Sequence, residues 1–342
     1  MKPPLPPGNC IYREPYLSWT LIPISHLYGS HQTSLISLFS NVDHSTLLTF
    51  RFCTYYLFRF AYTLPLCIAA PLQTIFDTMR TQATLLSLFA SLAFAWDAPV
   101  YSGYTRVWQS TFSGSSGTLP DTSQWNIITG NLGVNAELET YTASTKNLQN
   151  SGGSTLQIVP FRDSSVAGGW TSGRLESKYT FTPAAGKQTM GEAQIRFGTN
   201  SVNNKQGIWP AFWLLGDSLR HGTAWPACGE LDVLETVNGQ LTGYGTVHCD
   251  VYPGGICNEG TGIGSTIAIP DQSWHTWRIV WNRTPSSWQS ESITWYMDGK
   301  QFQQITGSRI GNQAVWTSLC HSPMYFLVNV AVGGSWVSGL PL

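Results

Sequence analysis

Short runs in which apolar and polar residues alternate recur along the chain after residue 96, separated by clusters of Gly, Pro, Ser and Asn. In one run, Trp277, Ile279 and Trp281 share a face because successive side chains of a strand point to opposite sides. Another run ends at Asp298-Gly299, a dipeptide typical of a two-residue hairpin turn. Runs of this kind occupy residues 155–159, 192–197, 277–281 and 293–297. The alternation predicts β-strands at these positions.

The run at residues 325–332 differs because it is apolar almost throughout, which indicates a strand buried on both faces. No stretch of ten or more residues after residue 96 has a convincing helical period. Many short strands with regular turns are typical of an all-β sandwich or barrel, and about 245 residues are normal for one such domain. The sequence therefore predicts a single all-β domain over residues 96–342.

Composition removes several classes of protein from consideration. Charged residues make up 11 % of the chain and the net charge is -1, whereas a nucleic-acid-binding protein needs a basic surface to neutralise phosphates. With 42 % apolar residues the chain can bury a core, which excludes a disordered protein. The 15 Trp and 14 Tyr residues have two interpretations: they fill the core of a sandwich, or their flat faces stack on sugar rings.

Residues 79–95 have the three parts of a secretory signal peptide. A short basic start at Met79-Arg80 precedes an apolar run of ten residues and Ala93-Phe94-Ala95, a small-x-small cleavage site. A short buried helix is the alternative interpretation. We expect the mature protein to be secreted, with an extracellular or cell-wall location.

Residues 1–78 lack the regular pattern of the strand-rich region. We expect translation to start at Met79 and this stretch to be a gene-model artefact or an unstructured extension. The alternative is a membrane anchor at residues 51–72. That segment is apolar but includes Arg59 and Pro65, both of which are unfavourable in the middle of a membrane span.

The cysteine count fits the same division. Three of the seven cysteines precede residue 96 and four follow it, an even number that suits an oxidised extracellular chain. Cys249 and Cys257 are near enough in sequence to close a small loop. Cys228 and Cys320 could form a second pair, although four cysteines allow three pairings. Asn282-Arg283-Thr284 is an N-glycosylation sequon, which also fits this location.

Three acidic residues, Glu230, Asp232 and Glu235, fall within six positions of an apolar strand. Because burying unpaired acids is costly, we expect them to line an open cleft. The two-residue period places the first two on one face, and a one-residue bulge at or near Val233-Leu234 would bring Glu235 to the same side. A solvated acidic face and a Ca²⁺ site are the alternatives, and no Asp-rich calcium loop accompanies these acids.

Paired carboxyl groups of this kind suit the cleavage of a glycosidic bond. A retaining glycosidase holds its two carboxyl groups about 5–5.5 Å apart, with one ionised for attack and the other protonated. Like charges at that distance raise the pKa of one group, which supplies the difference. In this arrangement Asp232 lies between the two glutamates, where it can share a proton.

At this strand the sequence resembles glycoside hydrolase family 16, whose motif reads Glu-x-Asp-x-x-Glu or, without the bulge residue, Glu-x-Asp-x-Glu. Residues 230–235 have the longer form, which is similar to that of the laminarinase branch, the endo-β-1,3-glucanases, here of the fungal type. Three further segments are similar to segments of the family. Residues 207–216 and 329–336 resemble two of its strands, and residues 225–229 resemble the segment that precedes its catalytic strand. The resemblance covers about residues 104–340.

The resemblance implies a curved jelly-roll β-sandwich of the concanavalin A type, with a glucan chain across its concave face. It implies Glu230 as the nucleophile, Asp232 as an assisting acid and Glu235 as the general acid/base. The candidate substrate-binding residues are Asn135, Glu137, Arg174, Trp209, Trp213, Trp225, His248 and Trp336. Other interpretations stay open: a surface charge for Arg174, a core position for Trp213, a satisfied strand histidine for His248 and a simple cover for Trp336.

The chain stops at Leu342, just before the strand with which family members usually end. We therefore expect the catalytic domain, residues 96–342, to lack its last strand, which would expose a sheet edge. Family members often hold a structural Ca²⁺ partly through that strand. Accordingly, we assign no metal ligand and expect no cofactor.

The expected function is endo-acting hydrolysis of β-1,3 or mixed β-1,3-1,4 glucan by a retaining mechanism. We expect a monomer whose partner is the polysaccharide, with no nucleic-acid or protein partner. One alternative is a family 16 enzyme that acts on another glycan. A second is a lectin-like protein that binds glucan without cleaving it, although such proteins usually lose one of the two glutamates. A third is a truncated chain that does not fold.

Overall fold

The computed structural model describes residues 98–337 and, before them, the backbone of residues 17–25. The predicted signal peptide at residues 79–95, the rest of residues 1–78, and residues 338–342 lie outside the described residues. The predicted division of the chain at residues 78 and 95 therefore stays a prediction. Among the residues that the structure describes, no helix is long and apolar enough to cross a membrane.

Two antiparallel sheets, each of seven strands in the described part of the chain, enclose one core. The cleft sheet contains, in spatial order, β13 (Ile263–Ala268), β12 (Thr242–His248), β11 (Glu230–Glu235), β10 (Ile208–Gly216), β17 (Met324–Val332), β8 (Arg174–Phe181) and β2 (Trp125–Ile127). The second sheet contains β16 (Lys300–Thr306), β15 (Ser292–Met297), β14 (His275–Asn282), β9 (Gln188–Arg196), β1 (Leu17–Ser25), β5 (Leu156–Ile158) and β4 (Leu148–Asn150). The predicted all-β sandwich is confirmed.

Smaller elements complete the described chain. A three-stranded sheet contains β3 (Glu139–Tyr141), β7 (Trp170–Ser172) and β6 (Phe161–Arg162), with β3 and β7 parallel. Two short helices, α1 (Gly307–Ile310) and α2 (Gln313–Cys320), precede β17. Turns of 3₁₀ helix occupy Ala167–Gly169, Val202–Lys205, Asp217–His221 and Trp288–Ser290. The longer helix α2 begins after Asn312, whose side chain accepts hydrogen bonds from two backbone N–H groups of its first turn.

Alternation along the strands decides which side chains enter the core. In β14, Trp277, Ile279 and Trp281 are completely buried between the sheets, as the two-residue period predicts. Phe212 and Leu214 of β10 enter the same core from the cleft sheet. Each fully buried apolar side chain of this size stabilises the fold by roughly 1.5–3 kcal/mol. Because side chains alternate along a strand, the residues of β10 that alternate with Phe212 and Leu214 point to the opposite face of the cleft sheet.

Two local predictions are also confirmed. Every residue of β17 is buried, in agreement with the continuous apolar run. Asp298 and Gly299 connect β15 to β16 with φ angles of 48° and 78°, and a two-residue turn with positive φ at both positions matches the twist of a hairpin.

The cysteines agree with one of the two suggested pairs. Cys249 and Cys257 form a disulfide. The pairing of Cys228 with Cys320 is wrong, because both thiols are free and buried. Each packs in a different apolar cluster: Cys228 beside Leu215, and Cys320 in the main core.

Candidate active site

The acidic strand β11 contains the predicted bulge. Asp232 and Leu234 pair with adjacent residues of β10, which leaves Val233 as the extra residue between them. Because of this extra residue, Glu235 returns to the side that Glu230 and Asp232 face. The bulge therefore turns three acids onto one surface while the apolar residues of β11 stay buried.

One cleft on that surface brings most of the predicted residues together. Its lining residues are Val134, Asn135, Glu137, Arg174, Trp209, Ala211, Trp213, Glu230, Asp232, Glu235, Asn329 and Ala331. The other three candidates border it. Trp225 contacts Glu230, His248 lies beside Asp232, and Trp336 packs on Trp209.

Each of the two glutamates accepts a hydrogen bond from an indole. Trp225 Nε1–H donates to Glu230 Oε2 over 2.8 Å, and Trp209 Nε1–H donates to Glu235 Oε1 over 2.9 Å. An indole can donate but not accept, so each bond fixes a carboxyl oxygen without adding a charge. The two tryptophans predicted as sugar platforms thus also orient the acids.

The environment of the three acids raises their pKa values. Burial raises the pKa of Glu235 to about 7; the Trp209 hydrogen bond lowers it and the charge of Glu230 raises it. Burial also raises the pKa of Glu230, against the charge of His248 and the Trp225 hydrogen bond. Burial and then the charges of its two neighbours hold the pKa of Asp232 well above its usual range. The cleft therefore shifts the titration of all three acids to higher pH.

Arg174 and Trp213 belong to the cleft rather than to the surface or the core. Arg174 is buried and forms an ion pair with Glu176 at 2.8 Å. Its guanidinium lies 4.9 Å from the centre of the Trp213 ring, within the range of a cation–π contact. Trp213 Nε1–H in turn donates to Asn329 Oδ1 over 2.8 Å. These contacts hold a polar wall along one side of the cleft.

The loop before β3 supplies the two polar candidates. Asn135 Nδ2 donates to Glu137 Oε1 over 3.0 Å. Burial, followed by the charge of Glu139, raises the pKa of Glu137 to about 8. Near this loop, Trp336 contacts Trp209 and Tyr244 edge to face, with 5.2 and 5.0 Å between the ring centres. Trp336 keeps 40 % of its surface exposed, so part of it is open to a ligand.

The family model described as glycosyl hydrolases family 16 matches residues 135–339, which include every lining residue of the cleft except Val134. The chain belongs to glycosyl hydrolase family 16. The predicted glycoside hydrolase is thereby confirmed, while the roles assigned to individual residues stay predictions.

Two relatives of this family 16 chain come from bacteria. The chain is 30% identical over 276 residues to a beta-glucanase of Rhodothermus marinus, a match that covers 78% of this chain and 89% of that protein. It is 29% identical to glucan endo-1,3-beta-glucosidase A1 of Niallia circulans, covering 70% of this chain but only 36% of that longer protein.

A solved structure of an endo-1,3-beta-glucanase has a similar fold. The endo-1,3-beta-glucanase from Streptomyces sioyaensis superimposes with a TM-score of 0.65 at 36% identity. The match covers 70% of this chain and 89% of that one. The laminarinase branch is therefore supported, and the fungal type is not tested by these bacterial relatives.

Some residues in or near the cleft were not predicted from the sequence. Asn329 and Ala331 line it from β17, on the face opposite to the core. Their alternation with the core residues Val328 and Val330 could have identified them. Glu259 contacts His248 from a Gly-rich loop, where no periodic pattern marks a functional position.

Two groups of described residues bring three metal-binding side chains within 4.8 Å of one another: Glu230 with Asp232 and His248, and Glu291 with Cys320 and His321. Calcium prefers six to eight oxygen ligands, and neither group offers such a set. Arg283 also bonds Glu291, which disfavours a second cation there. These residues do not fit a structural Ca²⁺, and the expected absence of a cofactor stays a prediction.

Proposed function

We propose that this family 16 chain is an endo-acting hydrolase of β-1,3-glucan, with mixed β-1,3-1,4 glucan as a second substrate class. The observation that carries the proposal is the pair of glutamates, Glu230 and Glu235, that enter one cleft from a single bulged strand. Two relatives, the glucan endo-1,3-beta-glucosidase A1 of Niallia circulans and the endo-1,3-beta-glucanase of Streptomyces sioyaensis, support this choice of substrate.

The reaction proceeds by double displacement with retention. Glu235 protonates the bridging oxygen while ionised Glu230 attacks the anomeric carbon, so the glycosidic C–O bond breaks as an ester to Glu230 forms. Glu235, now ionised, takes a proton from water, and that water cleaves the ester. The raised pKa of Glu235, about 7, suits its part as the acid. A protonated Asp232 avoids a third negative charge between them.

The sugar chain lies along the aromatic and polar walls of the cleft. Trp209, Trp225 and Trp336 offer ring faces or edges to successive glucose units, and Trp225 and Trp336 keep 39% and 40% of their surfaces exposed. Asn135, Glu137, Arg174 and His248 offer polar groups to sugar hydroxyls. The ring of Trp213 packs against the guanidinium of Arg174 and so helps to hold it in place.

The cellular setting is proposed from the sequence. The signal-like segment at residues 79–95, the low charge and the Cys249–Cys257 disulfide all suit a secreted chain. The fungal type and the monomeric state stay predictions. Disulfides persist in oxidising extracellular surroundings and are rare in the cytosol.

The test compares the full-length chain with its Glu230→Gln variant on laminarin and on lichenan. The parent should release reducing sugars from laminarin, and the variant should lose at least about 10⁴-fold in kcat while still binding the polymer. Hydrolysis of lichenan alone would replace the substrate assignment by a mixed-linkage one. Binding by the parent without hydrolysis would replace the enzyme by a lectin-like protein.

A further inference from the structure

Outside the cleft, the side chain of Glu259 is completely buried, and both of its oxygens are used by the end of β12. Oε2 lies 2.6 Å from His248 Nδ1, and Oε1 accepts the backbone N–H of Cys249 over 2.8 Å. An ionised carboxylate accepts hydrogen bonds but donates none, so His248 Nδ1 must carry a proton in this contact. Glu259 therefore fixes both the place and the tautomer of the imidazole.

The second ring nitrogen of His248 faces the catalytic strand. Its Nε2 is 3.5 Å from Asp232 Oδ2, a buried oxygen with no hydrogen-bond partner among the described residues. An approach of a few tenths of an ångström would make this contact a normal hydrogen bond. With its proton on Nδ1, neutral His248 can accept a hydrogen bond at Nε2 from a protonated Asp232; when His248 is itself protonated, Nε2 can donate one to Asp232 instead.

The ring is confined on its other sides. Trp225 lies 5.8 Å away between ring centres. Gly262 has a φ of 70°, and a Cβ atom at that position would meet the His248 ring at 2.8 Å. Glycine is thus required twice here, for its backbone angle and for the space that the ring occupies.

The loop that carries Glu259 is closed on itself. The Cys249–Cys257 disulfide closes the first part of this loop, and beyond it Gly254 and Glu259 exchange backbone hydrogen bonds. Within the loop, Asp250 Oδ2 accepts the backbone N–H of Ile256 over 2.9 Å. A loop held at three places can keep a buried carboxylate fixed against a neighbouring strand.

We propose that Glu259 is a positioning residue for the hydrolytic reaction, which holds His248 with Nε2 directed at Asp232 between the two catalytic glutamates. This inference rests on the proposed function. The charged groups that face the imidazole are Glu259 from its loop and Glu230, Asp232 and Glu235 from β11. Burial lowers the pKa of His248, but the Glu259 hydrogen bond and the charges of Glu230, Glu259 and Glu235 outweigh it, so the pKa is raised.

Glu259→Gln tests the proposal because it keeps the shape of the side chain and removes its charge. The amide can donate to Nδ1 and so favour the opposite tautomer. We expect kcat on laminarin to fall about ten- to hundredfold, a loss usual when the partner of a functional histidine is removed, with KM within about twofold. The pH profile of kcat should shift, and the pKa of His248 measured by NMR should fall. Glu259→Asp keeps the charge and should recover part of both.

Glu291→Gln is the matched control, because Glu291 is also a buried glutamate bonded to a histidine, His321, but lies outside the cleft lining. It should change stability and leave the pH profile as in the parent. Equal kinetic losses in Glu259→Gln and Glu291→Gln, or an unchanged His248 titration in Glu259→Gln, would overturn the proposal.

The parent alone also decides the matter if the variant does not fold. Nitrogen chemical shifts of neutral His248 should show the proton on Nδ1; a proton on Nε2 contradicts the proposal. This measurement needs no substrate. If the parent fails to hydrolyse laminarin, the proposed function is lost while the NMR result still tests the Glu259 contact.

Discussion

Two glutamates of this molecule, the buried Glu291 beside α2 and the half-buried Glu235 in the cleft, have opposite surroundings. Glu291 is bonded by His321, by Trp316 Nε1 at 2.7 Å and by Arg283 Nε at 3.2 Å. Burial raises the pKa of Glu291, yet these hydrogen bonds outweigh it and the pKa is lowered. In contrast, the pKa of Glu235 is raised to about 7.

The two glutamates have the same kind of hydrogen-bond donor but differ in the charged residues around them. Each glutamate accepts one indole N–H, from Trp316 or from Trp209, so that hydrogen bond does not explain the difference. Arg283 and His321 both lower the pKa of Glu291. At Glu235, the charge of Glu230 on the same strand raises the pKa by more than the charge of His248 lowers it. A carboxylate that holds the fold together is kept ionised by cations. One that must hold a proton is buried near another acid.

Glu235→Gln should show the largest difference between the two sites. Without its general acid, the enzyme should lose about 10²–10⁴-fold in kcat on laminarin, because such an acid typically contributes that factor. An aryl glucoside with a good leaving group needs little protonation, so its first step should be affected far less. Initial-rate kinetics and burst measurements on both substrates would check this.

The control for this variant is Glu291→Gln, which should keep kcat within about twofold and lower stability. Equal losses on laminarin and on the aryl substrate would contradict the assignment of Glu235 as the acid. A large loss of kcat in folded Glu291→Gln would contradict the division into a structural and a functional glutamate.

The pH dependence of stability should have opposite signs at the two sites. The folded pKa of Glu235, about 7, lies above its ordinary value of 4.5, so its contribution is fully present below pH 4.5 and is lost as pH rises towards 7. The folded pKa of Glu291 is lowered, so its contribution is present above pH 4.5 and is lost at lower pH.

Guanidinium unfolding at several pH values would measure both effects. Glu235→Gln should flatten the decline of the unfolding free energy between pH 4.5 and 7, by on the order of 1–3 kcal/mol. Glu291→Gln should instead flatten the loss on the acid side. The same slope in parent and Glu235→Gln across that window would remove the basis for a proton held on Glu235.

The sequence predicted the cleft better than it predicted the surroundings of each acid. The spacing of Glu230, Asp232 and Glu235 identified the bulged strand, because strand geometry leaves one way to bring all three to one face. The Trp donors were predicted as sugar platforms, since spacing along one strand says nothing about which indole reaches which carboxylate.

Contacts between distant segments escaped prediction for the same reason. Glu259 reaches His248 from a loop with no period, and the free thiols of Cys228 and Cys320 lie in separate clusters that the sequence does not reveal. The pairing of Cys249 with Cys257 was accessible because eight residues separate them and few geometries close so short a loop.

Trp209→Phe and Trp316→Phe should give the smallest change in activity of the variants considered. Each removes the indole donor from one of the two glutamates and keeps an aromatic ring. The Trp209 hydrogen bond lowers the pKa of Glu235, so its loss should raise that pKa and move the alkaline limb of kcat/KM upward by about one pH unit. Activity at pH 6 should change only several-fold, because the acid stays protonated there.

Trp316→Phe is the matched control, and it should leave the alkaline limb in place because Glu291 takes no part in the reaction. Its cost should appear in stability, since Trp316 is completely buried and its loss leaves an oxygen of Glu291 short of a donor. An alkaline limb that moves equally in both variants would mean that the loss of either indole donor changes the pH profile indirectly, by disturbing the fold. A limb unmoved by Trp209→Phe would mean that Glu235 is not the group that titrates there.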